Sequence, residues 1–140
     1  MQELRLEDLI LGQSAERAHA VTEADIVAFA AVSGDDNPVH LDESYAAQTQ
    51  FKGRIAHGML AVGYLSAVMG TQLPGPGAIY LSQTLKFRRP VRIGDLVTAR
   101  VRITAIDDDS GRITLETLCL VADRTVVEGE AVVMVGRRSA

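Results

Sequence analysis

Residues 57–73 contain no Lys, Arg, Asp or Glu. The stretch His57-Gly58-Met59-Leu60-Ala61-Val62-Gly63-Tyr64-Leu65-Ser66-Ala67-Val68-Met69-Gly70-Thr71-Gln72-Leu73 has helical length and apolar residues on every side. A helix that is hydrophobic all round is buried rather than laid on a surface, so the rest of the chain must wrap it. Gly58, Gly63 and Gly70 each cost such a helix up to about 1 kcal/mol. They are intelligible if another backbone or a ligand approaches closely. Pro74-Gly75-Pro76-Gly77 ends the element.

The wrapping material follows directly. Residues 78–89, 95–107, 112–122 and 125–136 are long runs rich in Val, Ile, Leu and Thr. Val97, Ala99, Val101 and Ile103 alternate with Thr98, Arg100, Arg102 and Thr104, the period of a strand with one covered face. Asp107-Asp108-Asp109-Ser110-Gly111 predicts one hairpin turn and Asp123-Arg124 a tighter one. Strands this long imply a strongly curved sheet. The expected architecture is α+β: one long antiparallel sheet curling around one buried helix, in a single domain spanning 1–140. A short first strand is expected over residues 17–21.

Bulk properties exclude several function classes. A net charge of −4 with cations dispersed among acids, and only three Tyr and three Phe, leaves neither a basic stripe nor stacking platforms for nucleic acid. The lone Cys119 permits no intrachain disulfide and no thiolate metal site, and it reads as a small core hydrophobe. Charges at Glu3, Arg5, Glu7 and Asp8 stand where a signal peptide needs an apolar stretch. The longest mostly apolar run, 55–70, falls short of the ~20 residues of a membrane span. A soluble, cytoplasmic protein with no membrane partner is expected.

The chemistry is concentrated in Ser33-Gly34-Asp35-Asp36-Asn37-Pro38-Val39-His40-Leu41-Asp42. Before it, Thr22 as N-cap and Asp25 in the first turn start a helix, and Gly34 is placed to end it. Pro38 fixes its own φ and pushes Asn37 out of the helical region, so Asp35 and His40 are held across a restricted turn. Two readings fit. One is an Asx-type turn with an idle surface imidazole. The other is an acid–base pair held for proton transfer at one small molecule or water. A zinc site is not indicated, because His40 and His57 lack helical i, i+4 spacing and no third His or Cys lies nearby in sequence. Ser33 and Ser66 lack a Gly-x-Ser-x-Gly context. His57 reads as a hydrogen bonder at the helix start, and His19 as a structural residue of the first strand.

Further elements stand in order along the chain: Val21-Thr22-Glu23-Ala24-Asp25, Ala56-His57-Gly58-Met59, Leu73-Pro74-Gly75-Pro76-Gly77, Phe87-Arg88-Arg89-Pro90-Val91, Ile93-Gly94-Asp95 and Gly129-Glu130-Ala131-Val132-Val133. With the Asp-x-Asn-Pro-x-His element at Asp35 to His40, this pattern resembles the hot-dog fold. Within that fold it resembles the MaoC-like hydratases, specifically the (R)-specific enoyl-CoA hydratases. The resemblance implies reversible syn addition of water to a trans-2-enoyl-CoA, giving an (R)-3-hydroxyacyl-CoA. It also implies a homodimer joined sheet edge to sheet edge, no cofactor beyond the CoA of the acyl-CoA substrate, no metal, and a link to polyhydroxyalkanoate synthesis.

Under that resemblance Asp35 is the general base on water, and His40 orients the water and returns a proton to C2, with the reverse assignment open. Gly58, at a helix N-terminus where N–H groups lack partners, is either an oxyanion donor or a concession to tight helix–sheet packing. Asn37 supports the turn or the site. Val62, Ser66 and Met69 lie on one flank of the helix, where they either line an acyl tunnel or pack in the core. The competing activities are a dehydratase acting on acyl-carrier-protein thioesters, a hot-dog thioesterase, and a non-catalytic acyl-CoA-binding protein. Thioesterase relatives place a carboxylate on the central helix, and here residues 59–73 have none.

Overall fold

The computed structural model describes residues 3–138. After a 3-10 turn at Leu6–Asp8, the elements run β1 (Ser14–Ala20), α1 (Glu23–Ser33), α2 (Pro38–Leu41), α3 (Glu43–Ala47) and α4 (Gly58–Thr71). There follow β2 (Ile79–Phe87), β3 (Leu96–Asp107), β4 (Arg112–Val121) and β5 (Arg124–Met134). The strands form one antiparallel sheet in the order β1-β3-β4-β5-β2. Val97, Ala99, Val101 and Ile103 of β3 and Ile113, Leu115 and Cys119 of β4 are fully buried. They face the side of α4 that carries Ala61, Leu65, Val68 and Met69, and α4 also touches β1 and β5. Each large side chain so covered is worth about 1.5–3 kcal/mol. A long sheet wrapped around one helix is the hot-dog arrangement expected. Among the described residues, no helix is long and apolar enough to cross a membrane.

Three expectations need correction. First, α4 is not covered on all sides: Met59, Gly63, Ser66 and Gly70 form an exposed stripe. Uncharged composition predicts burial of a whole helix, but three of these four residues are Gly or Ser, which carry little apolar area, so the sheet need not close over them. Second, β1 begins at Ser14, because its extent follows pairing with β3 from Ser14↔Arg102 to Ala20↔Leu96 and not its own polar sequence. Third, the tight hairpin turns at Ala122 and Asp123, which take φ 50° and 63° between the closing pair Val121↔Arg124. A two-residue loop of this kind needs positive φ at both positions to match the strand twist.

The helix that leads into the chemical motif has closed ends. Thr22 Oγ1 accepts from Asp25 N at 3.1 Å, and the Asp25 carboxylate accepts from Thr22 N at 3.0 Å, a reciprocal capping box. Gly34 takes φ 81° and donates to Ala30 O at 2.9 Å, the left-handed closure that glycine allows. His19 Nε2 donates to the Asp25 carboxylate at 3.0 Å and ties β1 to α1. The Thr22 N–H, assisted by His19, holds the Asp25 carboxyl below its ordinary value. Burial pushes the Cys119 thiol up to about 12, and its Sγ donates to Ala61 O at 3.5 Å, which bears out its reading as a core residue.

Two predictions concern stability. A Cβ at position 129 would fall on the carbonyl oxygen of Thr84 in the neighbouring strand β2. Gly129→Ala is therefore expected to destabilise the fold by about 3 kcal/mol, read as a lowered melting temperature in calorimetry. A depressed carboxyl contributes stability that is present above its unfolded value, near pH 4, and is lost as pH falls through the lower folded value. The stability gap between Asp25→Asn and the native chain should be largest near neutral pH. Urea titrations should show it closing below about pH 4.

Candidate active site

Past Gly34 the backbone is shaped by its own side chains. Ser33 Oγ accepts from Asp35 N at 3.1 Å, Asp35 Oδ1 from Asn37 N at 3.2 Å, and Asn37 Oδ1 from Val39 N at 3.1 Å. The Asx turn read from the sequence exists, and it delivers the chain to Pro38 at the first position of α2. That single helical turn presents His40, which is 8% exposed. His40 Nδ1 lies 2.8 Å from Ile55 O. A carbonyl only accepts, so Nδ1 carries a proton in either charge state of the ring and Nε2 is the nitrogen left to exchange one.

His57, the N-cap residue of α4, is the third member. Its Nε2 donates to the backbone carbonyl of Asp35 at 2.8 Å, and its ring stacks on His40 with centroids 3.9 Å apart. Phe29 of α1 lies on it too, at 4.8 Å. Its Nδ1 is buried without a hydrogen-bond partner among the described residues. His57 is thus a hydrogen bonder as expected, but it serves Asp35 and not its own helix, on which it makes no cap bond. The N–H groups of Gly58 and Met59 consequently have neither a side-chain cap nor an intrahelical acceptor.

One nitrogen or oxygen from each of Asp35, His40 and His57 lies within 4.8 Å of the others. The sequence spacing that argued against co-ligation by the two imidazoles is overridden by packing, since α2 and the start of α4 bring them together. Even so, two of the four ring nitrogens already donate to carbonyls. The arrangement suits a shared water and proton transfer.

A cavity of about 470 Å³ opens against His40 and Gly58, a size suited to a small ligand. Phe51, Met59, Phe87, Val91 and Val127 supply apolar wall, and the exposed Arg88 and Arg89 also border it. A Cβ on Gly58 would meet the Phe87 ring at 2.7 Å, so the packing reason for this glycine is real. Of the expected site residues, His40 and Gly58 share the cavity wall, and Asp35 stands beside His40 without lining it. Asn37 is the exposed cap of α2. Val62 and Met69 are buried in the core, Ser66 is on the exposed stripe of α4, and none of the three borders this cavity. The role of His57 and the walls at Phe51 and Val127 were not read from the sequence. Phe87 stands in the Phe87-Arg88-Arg89-Pro90-Val91 element of the sequence, whereas Val127 is brought in only by strand pairing.

The model of the family described as "MaoC like domain" matches residues 11–124. The sequence is 55% identical to an (R)-specific enoyl-CoA hydratase of Rhodospirillum rubrum, over 94% of this chain and 92% of that one. Among solved structures, the R-hydratase PhaJ1 from Pseudomonas aeruginosa in the unliganded form matches with a TM-score of 0.91 at 46% identity. That match covers 97% of this chain and 88% of the other. The (R)-hydratase from A. caviae involved in PHA biosynthesis matches with a TM-score of 0.89 at 45% identity, covering 92% of this chain and 98% of the other.

Removing the His57 ring deletes the bond to Asp35 and the surface on which His40 rests. His57→Ala is expected to lower stability by roughly 2–3 kcal/mol, measured by denaturant unfolding.

Proposed function

Since the chain belongs to the MaoC-like domain family, we propose that it hydrates trans-2-enoyl-CoA reversibly to the (R)-3-hydroxyacyl-CoA. One observation carries the site assignment: the Asp35 carboxylate and the His40 imidazole lie side by side next to an uncapped helix N-terminus. These are the three parts that hydration of a thioester-conjugated double bond needs.

A water held between the pair gives a proton to Asp35 as its oxygen attacks C3. The C2–C3 π electrons move toward the thioester carbonyl, and the resulting enolate oxygen is met by the free N–H groups at Gly58 and Met59. Such a donor is worth about 3 kcal/mol at the transition state. His40, starting as imidazolium with Nδ1–H on the Ile55 carbonyl, delivers the Nε2 proton to C2 as the enolate collapses. Asp35 ends protonated and His40 neutral, and transfer through the next water restores both. Both groups act from one side of the bound chain, so the addition is syn. Protein groups supply every step, so no metal and no cofactor are needed beyond the CoA carried by the substrate. Asn37 keeps its supporting role as the cap of α2. Ser66, on the exposed stripe of α4, remains assigned to the acyl chain, and Val62 and Met69 take the other reading, core packing.

The working form is a homodimer joined through β2. This edge strand leaves Ile79, Tyr80, Leu81 and Phe87 exposed, and an uncovered apolar edge is a template for pairing with a second copy. A CoA thioester substrate supports a cytoplasmic location.

Crotonyl-CoA mixed with the purified protein should lose its conjugated-enoyl absorbance, and chiral analysis should find the (R) product. Asp35→Asn and His40→Ala should each slow the reaction at least ~10²-fold, with the melting temperature of Asp35→Asn little changed. Full activity in either variant would sink the residue roles, and an inert native protein would sink the function.

A further inference from the structure

We infer that Arg54 is a positioning residue for the acid–base pair, holding the His40 turn through its backbone carbonyl, with Glu23 as the anchor of the guanidinium. This rests on the reading of His40 given above. The guanidinium is charged, yet the Arg54 side chain is only 14% exposed. A cation so covered persists where its donors are matched. Here Nε donates to His40 O at 2.7 Å, Nη1 lies 2.8 Å from Glu23 Oε2, and Nη2 donates to Glu23 Oε1 at 3.0 Å. The end-on fork to the carboxylate is the geometry that guanidinium offers and ammonium does not.

His40 needs an outside hold because α2 has only the four residues Pro38–Leu41. A helix of one turn has no cooperative stability, and its last carbonyls lack internal partners. The segment around residue 55 supplies what is missing. Ile55 N donates to Val39 O at 3.2 Å, Ile55 O accepts from His40 Nδ1 at 2.8 Å, and the Arg54 side chain takes the His40 carbonyl. The main chain of Ile55 thus holds the ring and the guanidinium holds the backbone from which the ring projects. Glu23 carries the hold further, since it opens α1, the helix whose far end delivers Asp35 through Gly34. One ion pair therefore links the supports of both catalytic groups.

The test compares Arg54→Ala, Arg54→Lys and Glu23→Gln with the native enzyme, using crotonyl-CoA kinetics and NMR of ¹⁵N-histidine-labelled protein. Misplacing a catalytic group by about 1 Å costs on the order of 10²-fold. Arg54→Ala and Arg54→Lys should therefore lose about that factor in kcat while KM stays within about threefold. Added guanidinium ion should restore part of the rate to Arg54→Ala. Glu23→Gln should show a smaller loss, because the Nε bond to His40 survives. The His40 Nδ1–H signal, protected in the native protein, should broaden in Arg54→Lys, which keeps the charge and serves as the probe if the alanine variant does not fold. Unchanged kcat, a rise in KM alone, or an unaltered Nδ1–H signal in Arg54→Lys would overturn the inference. If the native protein acts on no enoyl thioester and the signal still broadens, the positioning role stands and the catalytic reading falls.

Discussion

Everything in this molecule depends on one packing constraint: an uncharged helix needs a sheet to cover it. The buried rows of β3 and β4 cover α4 on the side of Ala61, Leu65, Val68 and Met69. The remaining strands extend that surface on both sides until β1 and β2 are left as edges. Because the helix is gripped along its length, its N-terminus is held in place. That fixed terminus brings His57 against Asp35 and His40, and it leaves Gly58 and Met59, whose N–H groups have no side-chain cap, in the cavity wall. The stability of the core and the geometry of the site are thus two ends of one helix.

The other half of the site has little rigidity of its own. Residues 34–42 are a chain of short side-chain-to-backbone turns followed by a single helical turn, and their positions come from attachments elsewhere. His57 holds the carbonyl of Asp35, and Ile55 holds the His40 ring. These ties run to backbone atoms as often as to side chains. Ties made through other atoms leave one Asp35 carboxylate oxygen and Nε2 of His40 available for the proton transfer proposed above. The division explains why so many hydrogen bonds near the pair avoid Nε2 of His40.

Elements whose period or chemistry is local were legible in the sequence. The alternation in β3, the capping box at Thr22 and Asp25, the left-handed closure at Gly34 and the Asp35–His40 turn all declare themselves within a few residues. Features made by distant partners did not. His57 reads locally as a helix-start residue, and only its approach to Asp35, 22 positions away, shows what it holds. Arg54 reads as a solvated loop cation until its three bonds are seen. The exposed stripe of α4 escaped because hydropathy counts residues and not the area each presents. The start of β1 escaped because pairing with β3, not propensity, defines that strand.

The turn at α2 joins the rest of the protein through the capping side chains at residues 35–42 and a few bonds to Ile55, Arg54 and His57, and it has no rung in the sheet. Its opening free energy is set by those bonds and not by the whole core. On warming, the region carrying His40 should detach as a local unit while the strands stay paired. Loss of catalysis would then precede the cooperative melt, and the enzyme's working temperature would be limited by the fastening of one helical turn.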